Sequence, residues 1–424
     1  MLKSYQGLIS KLKTHKTIIS SFGYLSILQV LNMVMPLVSY PYLIRVLGTE
    51  SYGLIIYITT IASYFSILVN FGYQLTATKK VAQNRHRIAK LNQIVSAVII
   101  SKVFLLLISA VIFAGMIAAF DVLSSNKMLA IMCFAVCVNE VIFPSWFFQG
   151  MEKMKHITVI NVVSRIASLG LIFLFVKSPG DYLLVPIFNF LGAFGGAAYG
   201  WYNMTQRYSI RLLVQPYRRI RHYLLESWPV FATTITGIVK DRTNVIFIGA
   251  FLGNKEVLYY YFANRIVTTL LALFYNVSAA IFPNLSKSRN HLLLNKAVKM
   301  TALAGIFVAL SIVVLSKFIV TVYGGKEMIP SIPILQILSV MLIIVPLTSL
   351  FGLPLVINGK YDLLYRGSLY STSVYLITIC VLYVMECINI YSVTFGLIFI
   401  LMFELANRYY LCRKSGYGHW IFSK

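Results

Sequence analysis

Long apolar runs dominate this chain and restrict the folds that it can adopt. They recur along the 424 residues between short polar segments, and hydrophobic residues make up 59% of the sequence while charged residues make up only 12%. A run of about 20 apolar residues spans the hydrocarbon core of a bilayer as an α-helix, which satisfies its own backbone hydrogen bonds. The sequence therefore predicts an all-α polytopic membrane protein and excludes a soluble domain.

The order of apolar and basic segments predicts the organisation of the chain. We expect about twelve transmembrane helices in two six-helix lobes, residues 1–205 and 228–424, joined by a basic linker, residues 206–227. The linker carries arginines with leucines between them, which is typical of an amphipathic segment on a membrane surface in contact with anionic lipid. It holds Arg207, Arg211, Arg218, Arg219 and Arg221.

The net charge of +25 is distributed unevenly along the chain. Most lysines and arginines fall in alternate short loops, as the positive-inside rule requires of cytoplasmic loops. This pattern places both termini on the cytoplasmic side and argues against a nucleic-acid partner. The five cysteines form no CxxC pair, and the six histidines lie in predicted cytoplasmic segments. We therefore predict no metal site and no cofactor.

A short repeat marks the two halves. VLGTESYG at residues 46–53 is similar to FLGNKEVL at residues 251–258, and each lies between two apolar runs. Because each half contains an even number of predicted helices, both halves enter the membrane from the same side. The sequence therefore predicts a parallel pseudo-two-fold repeat about an axis along the membrane normal, with the site between the halves.

Three consecutive charges interrupt the apolar run at residues 233–251: Lys240, Asp241 and Arg242. At 1.5 Å per helical residue they lie roughly 16–20 Å deep, near the bilayer midplane. A charge at that depth costs at least about 2.5–3.5 kcal/mol, so it usually faces a bundle interior or a wet cavity. We expect Lys240 and Asp241 to face a cavity and Arg242 to meet a partner on a neighbouring helix. The alternative is that Asp241 only neutralises its neighbours in a helix contact.

Other charged residues also fall inside predicted spans. The cations outnumber the acids, so a cavity lined by them would attract an anion, and the arginine fork matches phosphate oxygens. For Lys102, Arg165 and Arg265, snorkelling to the membrane surface is the alternative. The predicted anion-binding residues are Lys102, Arg165, Lys240, Arg242 and Arg265. The predicted coupling residues, which would carry a proton or another ion, are Glu140, Asp241 and Glu404.

Several stretches carry a family resemblance. They are PYLIRVLGTESYG at 41–53, NFGYQLTATKKVAQNR at 70–85, PSWFFQGMEKMKHIT at 144–158, NVVSRIASLGLIFLFVKSPGDY at 161–182, SWPVF at 227–231 and DRTNVIFIGAFLG with YYYFANRI within 241–266. Together they resemble the bacterial polysaccharide flippases, the Wzx-type O-antigen transporters of the multidrug/oligosaccharidyl-lipid/polysaccharide exporter superfamily. The chain is shorter than the lipid II flippases of that superfamily, which argues against that narrower identity.

The resemblance implies two six-helix lobes around a central V-shaped cavity in the bacterial inner membrane. It implies a transporter, not an enzyme, that moves an undecaprenyl-pyrophosphate-linked oligosaccharide from the cytoplasmic to the periplasmic leaflet by alternating access. Intramembrane cations would engage the pyrophosphate, an H⁺ or Na⁺ gradient is the candidate energy source, and a polysaccharide polymerase is a candidate partner. Arg165, Asp241, Arg242 and Arg265 occupy matching positions, whereas the resemblance assigns Lys102 and Lys240 less directly.

Two other functions remain open from the sequence. A cation-coupled multidrug exporter of the same fold would have a cavity dominated by carboxylates, and here the cations are in excess. A membrane-embedded polymerase or glycosyltransferase would need paired carboxylates or a large extramembrane loop, and the sequence shows neither. The charge balance therefore favours the flippase.

Overall fold

The computed structural model describes residues 2–288 and 291–414, with the side chains in those ranges except those of residues 2–22, 25, 26, 241, 276, 279, 280, 283, 287, 288 and 291. The secondary structure of this part of the chain is helical and contains no strand. Contacts divide the chain into two compact units. The first comprises Met1–Leu47 and Ile58–Thr234, and the second comprises Gly48–Tyr57 and Ile235–Lys424.

The helices follow one another with short connections. Those of the first half are α1 (Leu2–Asn70), α2 (Tyr73–Gln83), α3 (Ile88–Ala119), α4 (Asp121–Ser125), α5 (Lys127–Phe134), α6 (Val136–Ile142), α7 (Ser145–Gly150), α8 (Met154–Phe175) and α9 (Leu184–Tyr202). Those of the second half are α10 (Tyr217–Phe251), α11 (Asn254–Ser288), α12 (His291–Gly324), α13 (Ser331–Ser339), α14 (Met341–Ile357), α15 (Tyr361–Val384) and α16 (Ile390–Cys412).

The predicted class, an all-α polytopic membrane protein, is confirmed. Within the described residues, 10 helical segments are long and apolar enough to cross a membrane. One of them, Ile27–Gln83, contains two spans because Gly48, with φ 74° and ψ 172°, interrupts α1. Helix α10, which carries the charged triplet, is not among the ten, but its 35 residues reach about 50 Å. The ten segments, the second span within Ile27–Gln83 and helix α10 together give the expected number of about twelve spans.

Two predicted spans of the first unit are interrupted. The largely apolar run from Met128 to Gln149 is long enough for one membrane-spanning helix, but it forms α5, α6 and α7. Phe143 before Pro144 adopts an extended conformation, with ψ 106°, because proline disfavours a helical residue at that position and cannot donate a backbone hydrogen bond. Helix α1 ends at Asn70, and the chain restarts at Tyr73 as α2, which carries the basic residues Lys79 and Lys80 in its later turns.

The beginning of α10 packs on α2 within the first unit. The ammonium of Lys80 lies 2.5 Å from a carboxylate oxygen of Glu226, and the hydroxyls of Thr76 and Ser227 are 2.6 Å apart. The rings of Phe71 and Phe231 stack with their centroids 4.7 Å apart. An ion pair, a hydrogen bond and an aromatic stack thus fasten this end of α10 at the junction of α1 and α2.

The predicted linker is not a continuous helix. Residues 208–216 contain no helix, and α10 begins at Tyr217. Two backbone amides fasten this segment to α3: that of Arg211 donates to Asn92 Oδ1 at 3.0 Å, and that of Leu213 donates to Ser96 Oγ at 2.8 Å. The side chains of residues 211–214 are exposed, and Val214 is 97% exposed. Apolar and basic side chains are therefore presented together on this surface.

Candidate functional site

Two cations flank one carboxylate in the second unit. Lys240 on α10 donates to Glu404 Oε2 on α16 at 2.7 Å, and Arg408, one turn further along α16, lies 3.6 Å from Glu404 Oε1. The three side chains are almost buried, with exposures of 10%, 12% and 17% for Lys240, Glu404 and Arg408. We name Lys240, Glu404 and Arg408 the cationic cluster, because it carries one positive charge in excess.

The cationic cluster keeps a donor available. Among the described residues, the Nε of Arg408 is buried and has no hydrogen-bond partner. Guanidinium N–H groups form strong bonds with carboxylate and phosphate oxygens, and an unsatisfied buried donor is costly. The Nε of Arg408 can therefore donate to an anion that lies beside Glu404.

Arg408 was missing from the residues that the sequence led us to consider. We treated it as an end residue of the last span, yet it follows Glu404 by four positions, and residues at that spacing share one face of a helix. That spacing was the signal that could have found it. We expected Arg242 to have a partner on a neighbouring helix. The structure shows such a partner, Glu404 on α16, for Lys240.

Polar side chains of α10, α11 and α15 meet one turn along α10 from Lys240 of the cationic cluster. The amide of Asn244, fully buried on α10, donates to the hydroxyl of Tyr260 on α11 at 2.8 Å and accepts a hydrogen bond from Tyr375 on α15 at 2.6 Å. Buried polar groups joined in this way fix one arrangement of their helices, because breaking any bond leaves an unsatisfied group. The network thus holds α10 at the level of Lys240, one turn away.

The remaining predicted cations of the second unit lie on α10 and α11. Arg242 is half-buried, and Arg265 is half-buried within electrostatic reach of the hydroxyl of Tyr52. The side chain of Asp241 lies outside the described residues. The predicted substrate roles of Arg242 and Arg265 and the predicted coupling role of Asp241 stay predictions.

A second cluster lies in the first unit. The ammonium of Lys102, which is 1% exposed, donates to the backbone carbonyl of Glu140 at 2.7 Å. The carboxylate of Glu140 accepts from Ser66 Oγ at 3.1 Å and from Asn70 Nδ2 at 3.0 Å. The ammonium of Lys102 therefore lies inside the unit and does not snorkel. Three helices, α1, α3 and α6, meet at Glu140.

Arg165 has a different environment. It is exposed on α8, next to the exposed Val163 and Ile166. Snorkelling stays open as the alternative for this residue. The structure thus joins Lys240 with Glu404 and Lys102 with Glu140, in separate units. Among the described residues, no group of three His, Cys, Asp or Glu side chains could hold a metal ion.

Comparison with known proteins decides the family. A family model described as "Polysaccharide biosynthesis protein" matches residues 18–289. The chain belongs to this family. One similar protein, from Escherichia coli (strain K12), is named "Putative O-antigen transporter". The two sequences are 25% identical over 344 residues, which cover 80% of this chain and 83% of the relative. The resemblance that the motifs indicated is thereby confirmed.

Solved structures show the same fold as this member of the polysaccharide biosynthesis family. The inward closed conformation of the lipid II flippase MurJ matches with a TM-score of 0.74 and 14% identity, over 92% of this chain and 87% of that one. An inward-facing multidrug resistance MATE transporter of the MOP superfamily matches with a TM-score of 0.70 and 14% identity, over 94% and 98%. The chain therefore has the fold that these two transporters share.

Proposed function

We propose that this protein is a flippase that moves an undecaprenyl-pyrophosphate-linked oligosaccharide, an O-antigen or capsule repeat unit, from the cytoplasmic to the periplasmic leaflet of the bacterial inner membrane by alternating access. The family match, the O-antigen transporter relative and the flippase fold support this substrate class. The positive-inside distribution of charges supports cytoplasmic termini. A polysaccharide polymerase is the proposed partner that uses the translocated unit.

The cationic cluster is the observation that carries the proposal. A diphosphate bears several anionic oxygens, and an almost buried cluster with an excess cation and an available guanidinium donor matches it in charge and geometry. The polyprenyl tail would stay in lipid while the diphosphate binds Lys240 and Arg408. Arg165, Arg242, Arg265 and Lys102 are further proposed contacts for the diphosphate.

Glu404 gives the cluster a second property. It shares Lys240 with any incoming anion, so that the carboxylate and the diphosphate compete for the same ammonium group. Neutralising Glu404 with H⁺, or pairing it with Na⁺, would favour the diphosphate. Glu404, Glu140 and Asp241 are therefore the residues through which we propose that an ion gradient acts on transport.

The test is rescue of glycan export in a strain that lacks its flippase, using several defined repeat units. We expect the wild-type chain to restore surface polysaccharide for at least one unit and Lys240→Gln to abolish the rescue while the protein remains in the membrane. Lys255→Gln, which removes an exposed cation of the same unit, is the matched control and should rescue fully. Failure of the wild type with every unit would exclude the proposed function.

A further inference from the structure

Four polar side chains form a continuous row in the first unit, next to Glu140. Gln74 Nε2 donates to Gln149 Oε1 at 2.7 Å, and Ser145 Oγ donates to Gln74 Oε1 at 2.9 Å. Asn70, which also donates to Glu140, accepts a hydrogen bond from the backbone amide of Gln74 at 3.3 Å. We name Asn70, Gln74, Ser145 and Gln149 the amide strip.

The amide strip lies where two helices are interrupted. Asn70 and Gln74 flank the junction of α1 and α2, where Phe71 has φ 48° and Gly72 has φ 77°. Ser145 and Gln149 follow the Phe143–Pro144 break between α6 and α7. In transporters, interruptions of helices mark substrate and ion sites.

The backbone at Phe71 adds a second, independent observation. A non-glycine residue at positive φ is strained, and such strain persists only where the surroundings impose it. Here the ring of Phe71 stacks on Phe231, and Gly72 lies so close to Val230 that an added Cβ would come within 2.9 Å of its side chain. The packing therefore fixes the turn that places Asn70 and Gln74 on the same side, facing Ser145 and Gln149.

The chemistry of the strip suits uncharged hydroxyl groups. Its members are two glutamines, one asparagine and one serine, each of which can both donate and accept hydrogen bonds, as sugar hydroxyls do. None carries a charge, so the strip does not suit a diphosphate. Gln74 is exposed and Gln149 is half-exposed, so the amides at this end can exchange their mutual bond for bonds to a ligand.

We propose that the amide strip binds the glycan of the lipid-linked substrate by hydrogen bonds to sugar hydroxyls. The inference rests on the proposed function and assigns to the first unit the part of the substrate that differs between repeat units. The cationic cluster binds the diphosphate that all such substrates share. The strip is then a specificity site, and the cluster is not.

Binding to the purified full-length protein tests this assignment. The two probes are a polyprenyl diphosphate that carries a complete repeat unit and the same lipid diphosphate without sugar. For the Gln74→Leu/Gln149→Leu double variant we expect roughly 10- to 30-fold weaker binding of the sugar-bearing lipid, and binding of the sugar-free lipid unchanged within about twofold. Gln83→Leu, an exposed glutamine of the same helix α2, should change neither.

The outcomes separate this inference from the proposed function. If the wild type binds neither lipid, the flippase proposal fails and the strip assignment fails with it. If the wild type binds both and the double variant weakens both equally or neither, the diphosphate site stands and the strip assignment is overturned. The assignment would also be overturned if the side chains of the strip raised the stability of the protein only in the presence of Na⁺. Should the double variant not fold, Ser145→Ala must weaken binding of the sugar-bearing lipid alone by about fivefold.

Discussion

Asn254 donates its side-chain amide to Glu50 Oε1 at 2.8 Å, and this bond joins the two copies of the repeated motif. Each copy contains a Leu-Gly pair whose glycine leaves the helix with positive φ, 74° at Gly48 and 114° at Gly253. Glycine reaches this conformation at little steric cost, which explains why the repeat keeps it. The similarity that the sequence showed at residues 46–53 and 251–258 thus extends to the backbone, and residues 48–53 of the first copy lie in the second unit with the whole of the second copy.

Gly53 lies where these two segments are in closest contact. A Cβ added at this position would overlap the backbone carbonyl of Asn254. A backbone atom cannot move aside as the end of a flexible side chain can. Gly53→Ala should therefore lower the free energy of unfolding by about 1–3 kcal/mol, although alanine is the better helix former. Thermal unfolding of the purified protein measures this. Gly115→Ala, whose Cβ would meet no atom within 4 Å, is the control and should not lower stability.

Arg408→Gln should impair transport by a different route from Lys240→Gln. The substitution removes the donor that we assign to the diphosphate and leaves the Lys240–Glu404 pair intact. We expect at least about tenfold less glycan export, since a charged hydrogen bond contributes about 1.5–3 kcal/mol. The measurement is export in the flippase-deficient strain, with Arg413→Gln, an exposed cation beyond the same helix, as control. Full export by Arg408→Gln would remove Arg408 from the site.

The Lys240–Glu404 pair should show strong coupling between its members. Glu404→Leu leaves two cations almost buried without their counter-ion and should destabilise the protein by about 3–5 kcal/mol. Adding Lys240→Met should restore part of that loss, because it removes one of the two unpaired charges and puts an apolar pair at the Lys240–Glu404 contact. A double-mutant cycle of unfolding free energies measures the coupling. Simple additivity of the two single effects would show that the 2.7 Å contact is not maintained.

Glu140 offers a test of ion coupling that leaves the packing largely intact. Lys102 donates to the backbone carbonyl of Glu140 and not to its carboxylate, so Glu140→Gln keeps that bond. We expect a loss of stability of about 1 kcal/mol, from one of the two bonds to Ser66 and Asn70, and a changed dependence of transport on pH or Na⁺. Transport assays across a pH and Na⁺ series measure it. An unchanged dependence would exclude Glu140 from coupling.

The exposed segment before α10 should respond to anionic lipid. Arg207 and Arg211 are exposed there together with apolar side chains such as Val214, and Arg218 and Arg221 are exposed on the first turns of α10. Each cation near an anionic surface contributes about 1 kcal/mol, and salt screens this contribution. Replacing the four arginines with glutamine should abolish the extra thermal stability that phosphatidylglycerol gives over phosphatidylcholine. An undiminished lipid effect would show that the segment does not face the anionic surface.

The interruptions of the helices show where the sequence was informative and where it was not. Pro144 is visible in the sequence, and a proline disfavours helix at the residue before it, so the break between α6 and α7 had a local signal. The break at Phe71 had only a weak one, because a large aromatic residue at positive φ contradicts local preference. There the stack with Phe231, 160 residues along the chain, imposes the conformation.

The sequence by itself determined the helical class and the family, and it predicted the approximate depth of Lys240, Glu140 and Glu404. These follow from hydropathy, from the fixed rise of a helix and from motifs, all of which are local properties of the chain. Only the tertiary structure decided that Lys240 pairs with Glu404, that Lys102 binds a carbonyl and that Gln74 meets Gln149. The rotation of each helix about its axis depends on its neighbours, and a hydrophobic pattern that is apolar on nearly all faces does not specify it.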